Sequence, residues 1–325
     1  MFPVNSIRRL RATFQPDMFH GWGRNRKYFE GWYFKVVSTD GKYALAFIPG
    51  ISFSEDGSSV HAFIQTMYGS ENKAAYERFD SSAFKPSPKR FELQLGENYF
   101  SNEKMELNLP DVQGRIDFQH TTPWPKMFGA PGIMGWYSFV PFMQCFHGIN
   151  SLHHQLDGTL KIKGEQVSFT GGKGYIEKDW GRSFPKAYVW MQSNHFERLD
   201  RASLMASVAH IPWMNSWFAG FISGIWLEDR LFRFATYTGA KKHLEIGEDQ
   251  LSLIYTNPKT ELRILAHKAP GTELVSPLQG EMTGKISESL QARLEVQLLE
   301  NDRIIFEDTG HHAGLEVAGD TDCLL

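Results

Sequence analysis

The chain has 325 residues, of which 14% are aromatic and 22% charged, and its formal net charge is −3. This length is sufficient for two domains with cores of their own, whereas the slightly acidic balance argues against a nucleic-acid partner, which would need a basic face. Cys145 and Cys323 are too few for a disulfide framework, and neither belongs to a Cys-x-x-Cys pair of the kind that binds zinc.

The N-terminal residues 1–14 contain no apolar run of the length found in a secretory signal. Nowhere do eighteen apolar residues follow one another, so we expect no transmembrane helix. We therefore predict a cytoplasmic protein. Arg8, Arg9 and Arg11 form a short basic cluster that favours a solvated terminus, and a peripheral contact with anionic lipid is the alternative.

The run Tyr28–Val37 is rich in aromatic and β-branched residues, which favour a strand. Side chains alternate along a strand, so Glu30, Trp32, Phe34 and Val36 share one face, and its apolar character predicts burial. A carboxyl group held against an indole is a plausible acid, because desolvation raises its pKa. The alternative is a structural glutamate satisfied by backbone N–H groups or by an arginine.

Strand-like runs alternate with turn signals at short intervals, which is typical of an all-β sandwich or barrel. Three hairpins are predicted, with turns at residues 39–42, 164–165 and 227–230. Long amphipathic helices are scarce, and the aromatic content suits a β-structure around an apolar cavity.

A second aromatic run, Gly174–Pro185, contains the charged triplet Glu177, Lys178 and Asp179. Such a triplet is usually an exposed turn. The flanking Trp180 and the Phe184-Pro185 pair instead favour a buried or half-buried position.

A strand over residues 187–196 places Tyr188, Trp190, Gln192 and Asn194 on one side. Aromatic rings combined with amide groups suit a pocket for a ring that carries oxygen atoms. The alternative is a solvent-facing side of the strand, with Met191 turned to the core.

The histidine pairs 153–154 and 311–312 are adjacent in sequence rather than at metal-ligand spacing, and we interpret them as solvated loops. His20 precedes the first aromatic run and could line the same site, although a loop position without a role is the simpler interpretation. No nucleophile elbow, dinucleotide fingerprint or P-loop is present.

The two aromatic runs together resemble the tocopherol cyclase family. Its motifs F-E-G-W-Y-F-K and Y-x-E-K-(N/D)-W-G-x-x-F-P correspond to Phe29–Lys35 and Tyr175–Pro185. Supporting matches occur in the same order along the chain at Gly135–Tyr137, Trp190–Asn194 and Gly314–Val317. The plant members carry Asn at the position of Asp179.

The resemblance, together with relatives of the hydroxyneurosporene hydratase type, implies an all-β fold of two tandem lipocalin-like antiparallel β-barrels. A weak internal duplication agrees, because Trp32 and Trp190 each lead a strand that returns through one ending in Ile-Pro. We therefore predict an N-terminal domain over residues 1–170 and a C-terminal domain over residues 171–325.

The implied reaction is chromanol ring closure on a prenylated hydroquinone, which requires neither a metal nor a redox cofactor. Glu30 is the first candidate for the acid, and Asp179 or Glu177 is the second. The expected substrate-binding residues shelter the developing cation, orient the ring oxygens or line the apolar pocket: Trp32, Phe34, Lys178, Trp180, Tyr188, Trp190, Gln192 and Asn194. We expect Glu30, Trp32, Trp180 and Trp190 to share one cavity.

The alternative function is a non-catalytic lipocalin-like carrier of an apolar quinone or isoprenoid. A barrel with an apolar cavity does not by itself imply turnover. Both interpretations predict a small apolar partner, and both leave the oligomeric state open.

Overall fold

The structure is a computed structural model that describes residues 4–325, so residues 1–3 of the segment expected to lack a secretory signal lie outside the described residues. Antiparallel strands dominate, which confirms the predicted all-β class. One α-helix is present in the described part of the chain, α1 over Val4–Thr13. Short 3-10 helices span Gly69–Glu71, Ser81–Ala83, Gly135–Phe139, Thr236–Thr238 and Thr321–Leu324.

The first sheet has twelve strands within residues 4–325. These are β1 Tyr28–Val37, β2 Ala44–Phe53, β3 Val60–Tyr68, β4 Lys73–Asp80, β5 Phe84–Pro86, β6 Glu92–Leu95, β7 Asn98–Ser101, β8 Lys104–Asn108, β9 Val112–Gln119, β10 Cys145–Ile162, β11 Glu165–Ser168 and β12 Lys173–Gly181. Neighbouring strands follow the order β4-β3-β2-β1-β12-β10-β9-β8-β7-β6-β5, with β11 paired to β10. The late strand β12 therefore lies between β1 and β10.

The second sheet has eleven strands in the same part of the chain. These are β13 Ala187–Ser193, β14 His195–Phe196, β15 Ala202–Trp213, β16 Ser216–Leu227, β17 Arg230–Ala235, β18 Lys241–Ile246, β19 Gln250–Thr256, β20 Thr260–His267, β21 Thr272–Leu278, β22 Glu281–Glu300 and β23 Arg303–Gly319. The order is β17-β16-β15-β13-β23-β22-β20-β19-β18, with β14 paired to β23 and β21 to β22.

The three predicted hairpins are confirmed. They correspond to the antiparallel pairs β1–β2, β10–β11 and β16–β17. The predicted face of β1 is also correct, because Trp32, Phe34 and Val36 have no exposed surface and belong to one hydrophobic cluster.

The chain folds as two compact units. The first comprises residues 73–184 and 274–285 together with the described residues up to 68, and the second comprises residues 69–72, 185–273 and 286–325. Each unit has its own buried hydrophobic cluster. The domain bounds at residue 170 stay a prediction, and β12 lies in the first unit.

No helix within residues 4–325 has the length and apolar character needed to cross a membrane.

Candidate functional site

The charged triplet lies on β12, in the centre of the first sheet. In register with β1, Trp180 is opposite Glu30 and Lys178 is opposite Trp32, while Asp179 is opposite His147 of β10. Because side chains alternate between the two faces of a strand, Lys178 and Trp180 share one face and Glu177 and Asp179 the other. The triplet therefore supplies two separate clusters.

The first cluster, which we call the Lys178 cluster, is built on a buried ion pair. Lys178 Nζ lies 2.5 Å from Glu30 Oε1, and neither side chain has any exposed surface. Backbone N–H groups of His20 and Gly21 donate to the Glu30 carboxylate at 2.9–3.0 Å, and the Tyr28 hydroxyl donates to Oε2 at 2.5 Å. The carboxylate therefore has donors at both oxygens.

The Lys178 ammonium group is equally well surrounded. It donates to the backbone oxygen of Met18 and lies 3.2 Å from that of Pro16. It also lies over the rings of Trp32 and Trp180, at 4.6 and 4.7 Å from their centroids. Carbonyl oxygens accept only and the ring faces attract positive charge, so this environment favours the protonated amine.

The electrostatics of the pair agree with this geometry. Burial alone would raise the pKa of Glu30, but the Lys178 ammonium holds it below its ordinary value. Burial lowers the pKa of Lys178, and Glu30 opposes that shift. We describe both groups as ionised, because each has several partners that stabilise its charged form.

His20 completes the Lys178 cluster as a neutral imidazole. Its Nε2 lies 3.0 Å from the backbone oxygen of Ala12, so Nε2 carries the hydrogen and Nδ1 accepts from Lys178 Nζ at 2.9 Å. Burial and the Lys178 charge lower the pKa of His20 to about 4. The ring stacks on Trp180 at 4.1 Å.

Trp32 and Phe34 are packed on all sides. Trp32 Nε1 donates to the backbone oxygen of Asp17 at 3.0 Å, and the indole stacks on Phe91 at 5.0 Å. Phe34 contacts the rings of Phe91 and Phe100 and has no exposed surface. In this conformation both residues support the cluster from within the core.

The second cluster, which we call the His147 cluster, lies on the opposite face of β10 and β12. His147 Nδ1 is 3.0 Å from Asp179 Oδ1, and His147 Nε2 is 3.4 Å from Glu177 Oε2. The Tyr175 hydroxyl donates to Glu177 at 2.6 Å. The side chains of His147 and Glu177 are 11% and 6% exposed, whereas that of Asp179 is 27% exposed. Asp179 is thus the most accessible member.

The two carboxylates decide the charge of His147. Burial alone would lower the pKa of His147, but Glu177 and Asp179 outweigh it and raise the pKa to about 9. The ring is therefore an imidazolium at neutral pH. Its Nε2 is buried and has no hydrogen-bond partner among residues 4–325. Burial and the adjacent Asp179 raise the pKa of the neighbouring Cys145 thiol.

The His147 cluster also has the composition of a metal site. One ligand atom each of His147, Glu177 and Asp179 lies within 4.8 Å of the others. In the observed arrangement, however, each imidazole nitrogen faces a different carboxylate. Two carboxylates bridged by an imidazolium account for this geometry without an ion.

A cleft of about 910 Å³ opens beside the Lys178 cluster in the first unit. His20, Tyr28 and Trp180 contribute to its wall, together with residues of α1 and of the segment 138–143. Its cationic lining residues are Arg9, Arg24, Arg26, Lys27 and Arg182. The cleft thus combines aromatic walls with positive charge.

The second unit holds the predicted polar strand face on β13 and just after it. Val189 and Met191 belong to the hydrophobic cluster, so the even-numbered residues lie on the other face. The alternative interpretation, that this face is exposed to solvent, is wrong. Its residues are all at most 7% exposed: Tyr188, Trp190, Gln192 and Asn194. The Tyr188 hydroxyl donates to Glu316 at 2.5 Å.

Comparison with known sequences identifies the family. The model of the tocopherol cyclase-like family matches residues 106–319, about two thirds of the chain. The chain belongs to the tocopherol cyclase-like family. It is 24% identical to the protein named probable tocopherol cyclase, chloroplastic, of Oryza sativa subsp. japonica, over 96% of this chain and 80% of that one. It is also 24% identical to the chloroplastic tocopherol cyclase of Zea mays, over 98% and 80%. The predicted family is confirmed, and these relatives give family-level support to the predicted cyclase.

Solved structures support the fold of this tocopherol cyclase-like chain. CghA in complex with Sch210972 has a TM-score of 0.57 and 8% identity, over 90% of this chain and 89% of that one. A protein of Nitrosomonas europaea has a TM-score of 0.52 and 12% identity, over 90% and 92%. Both likenesses concern the fold alone.

The structure brings some predicted site residues of the tocopherol cyclase-like chain together. Glu30, Trp32, Lys178 and Trp180 form the core of one cluster. Trp190 belongs to the second unit. The predicted cavity that it would share with Glu30, Trp32 and Trp180 stays a prediction.

Five histidines differ from expectation or add to it. His153 and His154 are not solvated loops but buried residues of β10. The pair 311–312 lies within β23 and is also not in a loop. His147 was missed, and only its position opposite Asp179 in the strand pairing identifies it.

Proposed function

We propose that the protein closes a chromanol ring on a prenylated hydroquinone. In this isomerisation a phenolic O–H bond breaks and a new O–C bond forms to the tertiary carbon of the nearest prenyl double bond. The adjacent alkene carbon gains a proton, so the overall composition is unchanged. The reaction needs an acid near the alkene and a proton acceptor near the phenol.

The observation that carries the proposal is the His147 imidazolium between two carboxylates. Its Nε2–H is buried 3.4 Å from Glu177 Oε2 and has no hydrogen-bond partner among the described residues. We infer that its partner is the bound substrate. On the other side of the ring, His147 Nδ1 lies 3.0 Å from Asp179 Oδ1. An acid and an acceptor are thus combined in one cluster.

In the proposed mechanism His147 Nε2 donates its proton to the alkene carbon while the phenolic oxygen attacks the tertiary carbon. Imidazolium is a weak acid, so the two bonds form in one concerted step. Glu177 accepts the phenolic proton and returns it to Nε2, which restores the starting state. Asp179 is the positioning residue, because its hydrogen bond fixes the ring and stabilises its positive charge.

Glu30 has a different role in this proposal. Its carboxylate is ionised and is surrounded by donors, so it has no proton to give. The Glu30–Lys178 pair joins β1 to β12, the strand that also carries Glu177 and Asp179. We therefore infer that Glu30 positions β12 and that Glu177, its runner-up in the sequence analysis, takes part in proton transfer.

The test is incubation with a prenylated hydroquinone in D2O, with mass spectrometry of the chromanol. We expect one deuterium on the ring carbon that was the alkene CH. The His147→Gln variant should lose roughly a hundredfold or more in rate, as is typical when a positioned acid is removed. His243→Gln is the matched control, because that exposed histidine also pairs with a glutamate, Glu245 at 2.9 Å.

An unchanged rate in His147→Gln, with an unchanged melting temperature, would remove His147 from the mechanism. Binding of the hydroquinone by the parent protein without any turnover would instead favour the carrier function.

A further inference from the structure

Helix α1 exposes its apolar residues. Val4, Ile7 and Leu10 are 63%, 58% and 64% exposed, and Phe14, directly after the helix, is 53% exposed. At about 100° per residue these side chains fall on one side of the helix, within about a third of its circumference. A helix that packs on a core would turn this side inward.

Two arginines of α1 contact the protein instead. The Arg8 guanidinium lies 4.5 Å from the Trp22 ring centroid, and Arg9 Nε donates to the Trp22 backbone oxygen at 2.5 Å. Ala12 is fully buried. The helix is therefore held in place by its arginines, and its apolar side is left outward.

A second segment continues the apolar surface. The Phe14 and Phe139 rings contact each other at 5.6 Å. Phe139 is 44% exposed, and Trp136 and Phe142 from the same segment are 47% and 45% exposed. We call this set the docking surface: Val4, Ile7, Leu10, Phe14, Trp136, Phe139 and Phe142.

The docking surface borders the cleft described above. Leu10, Phe139 and Phe142 belong to both. The cleft wall contains four arginines, and also Lys27, which pairs with Glu55. Among its described lining residues there is no carboxylate. Exposed aromatic and aliphatic side chains thus lie next to a concentration of positive charge, in a chain whose formal net charge is −3.

We propose that the docking surface binds an anionic lipid bilayer, with the mouth of the cleft turned toward the lipid. An amphipathic helix with basic residues binds such a surface by burying its apolar side among the acyl chains. Exposed tryptophan suits the membrane interface, and anionic headgroups complement the arginines. A contiguous apolar patch of this kind is rare on a protein that stays in water.

This arrangement gives the cleft a source of ligands. An apolar molecule dissolved in the bilayer would enter past Leu10 and Phe142 without crossing water. The inference concerns binding to lipid and does not depend on the proposed ring closure.

The test is flotation of the purified protein with two kinds of vesicle, phosphatidylcholine alone and phosphatidylcholine containing about one quarter phosphatidylglycerol. We expect binding to the anionic vesicles. Raising the salt from about 0.1 M to about 1 M should weaken that binding, because the screening length falls from about 10 Å to about 3 Å. The triple variant Ile7→Ser, Leu10→Ser, Phe14→Ser should bind at least tenfold more weakly.

Two further variants sharpen the test. The double variant Ile304→Ser, Ile305→Ser is the matched control, since these residues are also exposed, at 53% and 45%, but belong to β23. It should bind like the parent. Neutralising Arg24 and Arg26 with glutamine should weaken binding roughly fivefold for each charge removed.

Failure of the parent to float with anionic vesicles would overturn the proposal. Equal binding by the triple variant and the parent would also overturn it. Gel filtration supplies a third outcome. A parent dimer that the triple variant converts to a monomer would show that a second copy of the chain, rather than lipid, covers this surface.

Discussion

Replacement of Glu30 by glutamine separates a structural role from a catalytic one. Gln keeps the shape of the side chain but places an NH2 group among donors from His20, Gly21, Tyr28 and Lys178. It also leaves the Lys178 ammonium without its counter-charge at 0% exposure. Breaking one partner of a buried ion pair costs about 3–5 kcal/mol.

That cost has a measurable size. For a cooperative unit of roughly 200 residues, each kcal/mol lowers the melting temperature by about 2–4 °C. We therefore expect the melting temperature of Glu30→Gln, measured by circular dichroism, to lie roughly 6–20 °C below that of the parent. Glu300→Gln is the control, because its partner Arg230 is 60% exposed and such pairs contribute about 0–1 kcal/mol.

The double variant Glu30→Gln, Lys178→Met tests the cause. If the uncompensated ammonium is responsible, removal of both charges should recover part of the lost stability. A Glu30→Gln variant that melts like the parent but has lost ring closure would refute this reasoning and return Glu30 to the role of proton donor.

Three further predictions concern the His147 cluster and β12. The pKa of His147 is about 9 in the folded protein against 6.5 for an ordinary histidine. Its protonation therefore contributes about 3 kcal/mol to the free energy of unfolding below pH 6.5, and this contribution is lost as the pH rises through 9. Urea titrations at pH 6.5 and 9.5 should show this loss of stability, and the His147→Gln variant should not show it. Asp179→Asn should keep more of the ring-closure rate than Asp179→Ala, because the amide oxygen can still accept from Nδ1 although the negative charge is lost. Asp179→Ala should reduce the rate by tenfold or more, and equal rates in the two variants would contradict a positioning role. Gly181→Ala should lower the free energy of unfolding by at least about 2 kcal/mol, because φ is +152° and a Cβ would lie 2.3 Å from the Gln144 backbone oxygen; an unchanged urea midpoint would show that the strand pairing can relax.

The sequence was sufficient for the strand face of β1 because alternation fixes which side chains share a face. Glu30 beside Trp32 allowed two interpretations, an acid or a structural carboxylate. The second describes the geometry better, although the counter-charge is a lysine rather than an arginine. The deciding partners could not be read from sequence, because they are backbone N–H groups of the loop at His20 and Gly21 together with a lysine about 150 residues away.

The triplet Glu177-Lys178-Asp179 shows a second limit. If the three residues are treated as one charged group, all three are expected in one environment. Side chains alternate along a strand, so Lys178 lies on one face and Glu177 and Asp179 lie on the other. The same period gives the buried face of β1, but in this run three adjacent charges favour a turn over a strand. His147 had no motif of its own, since its role depends on β10 lying beside β12.

The strand order of the first sheet has a consequence for synthesis on the ribosome. β1 pairs with β12 as well as with β2, so one side of β1 has no partner until roughly 140 further residues have been translated, which takes about seven to thirty seconds. During that time the nascent chain exposes an aromatic strand edge of the kind that promotes aggregation. Residues 274–285 also belong to the first unit, so the unit is complete only when most of the chain has emerged. A gene fragment that stops before β12 should therefore give a chain that depends more on chaperones than the full-length chain does.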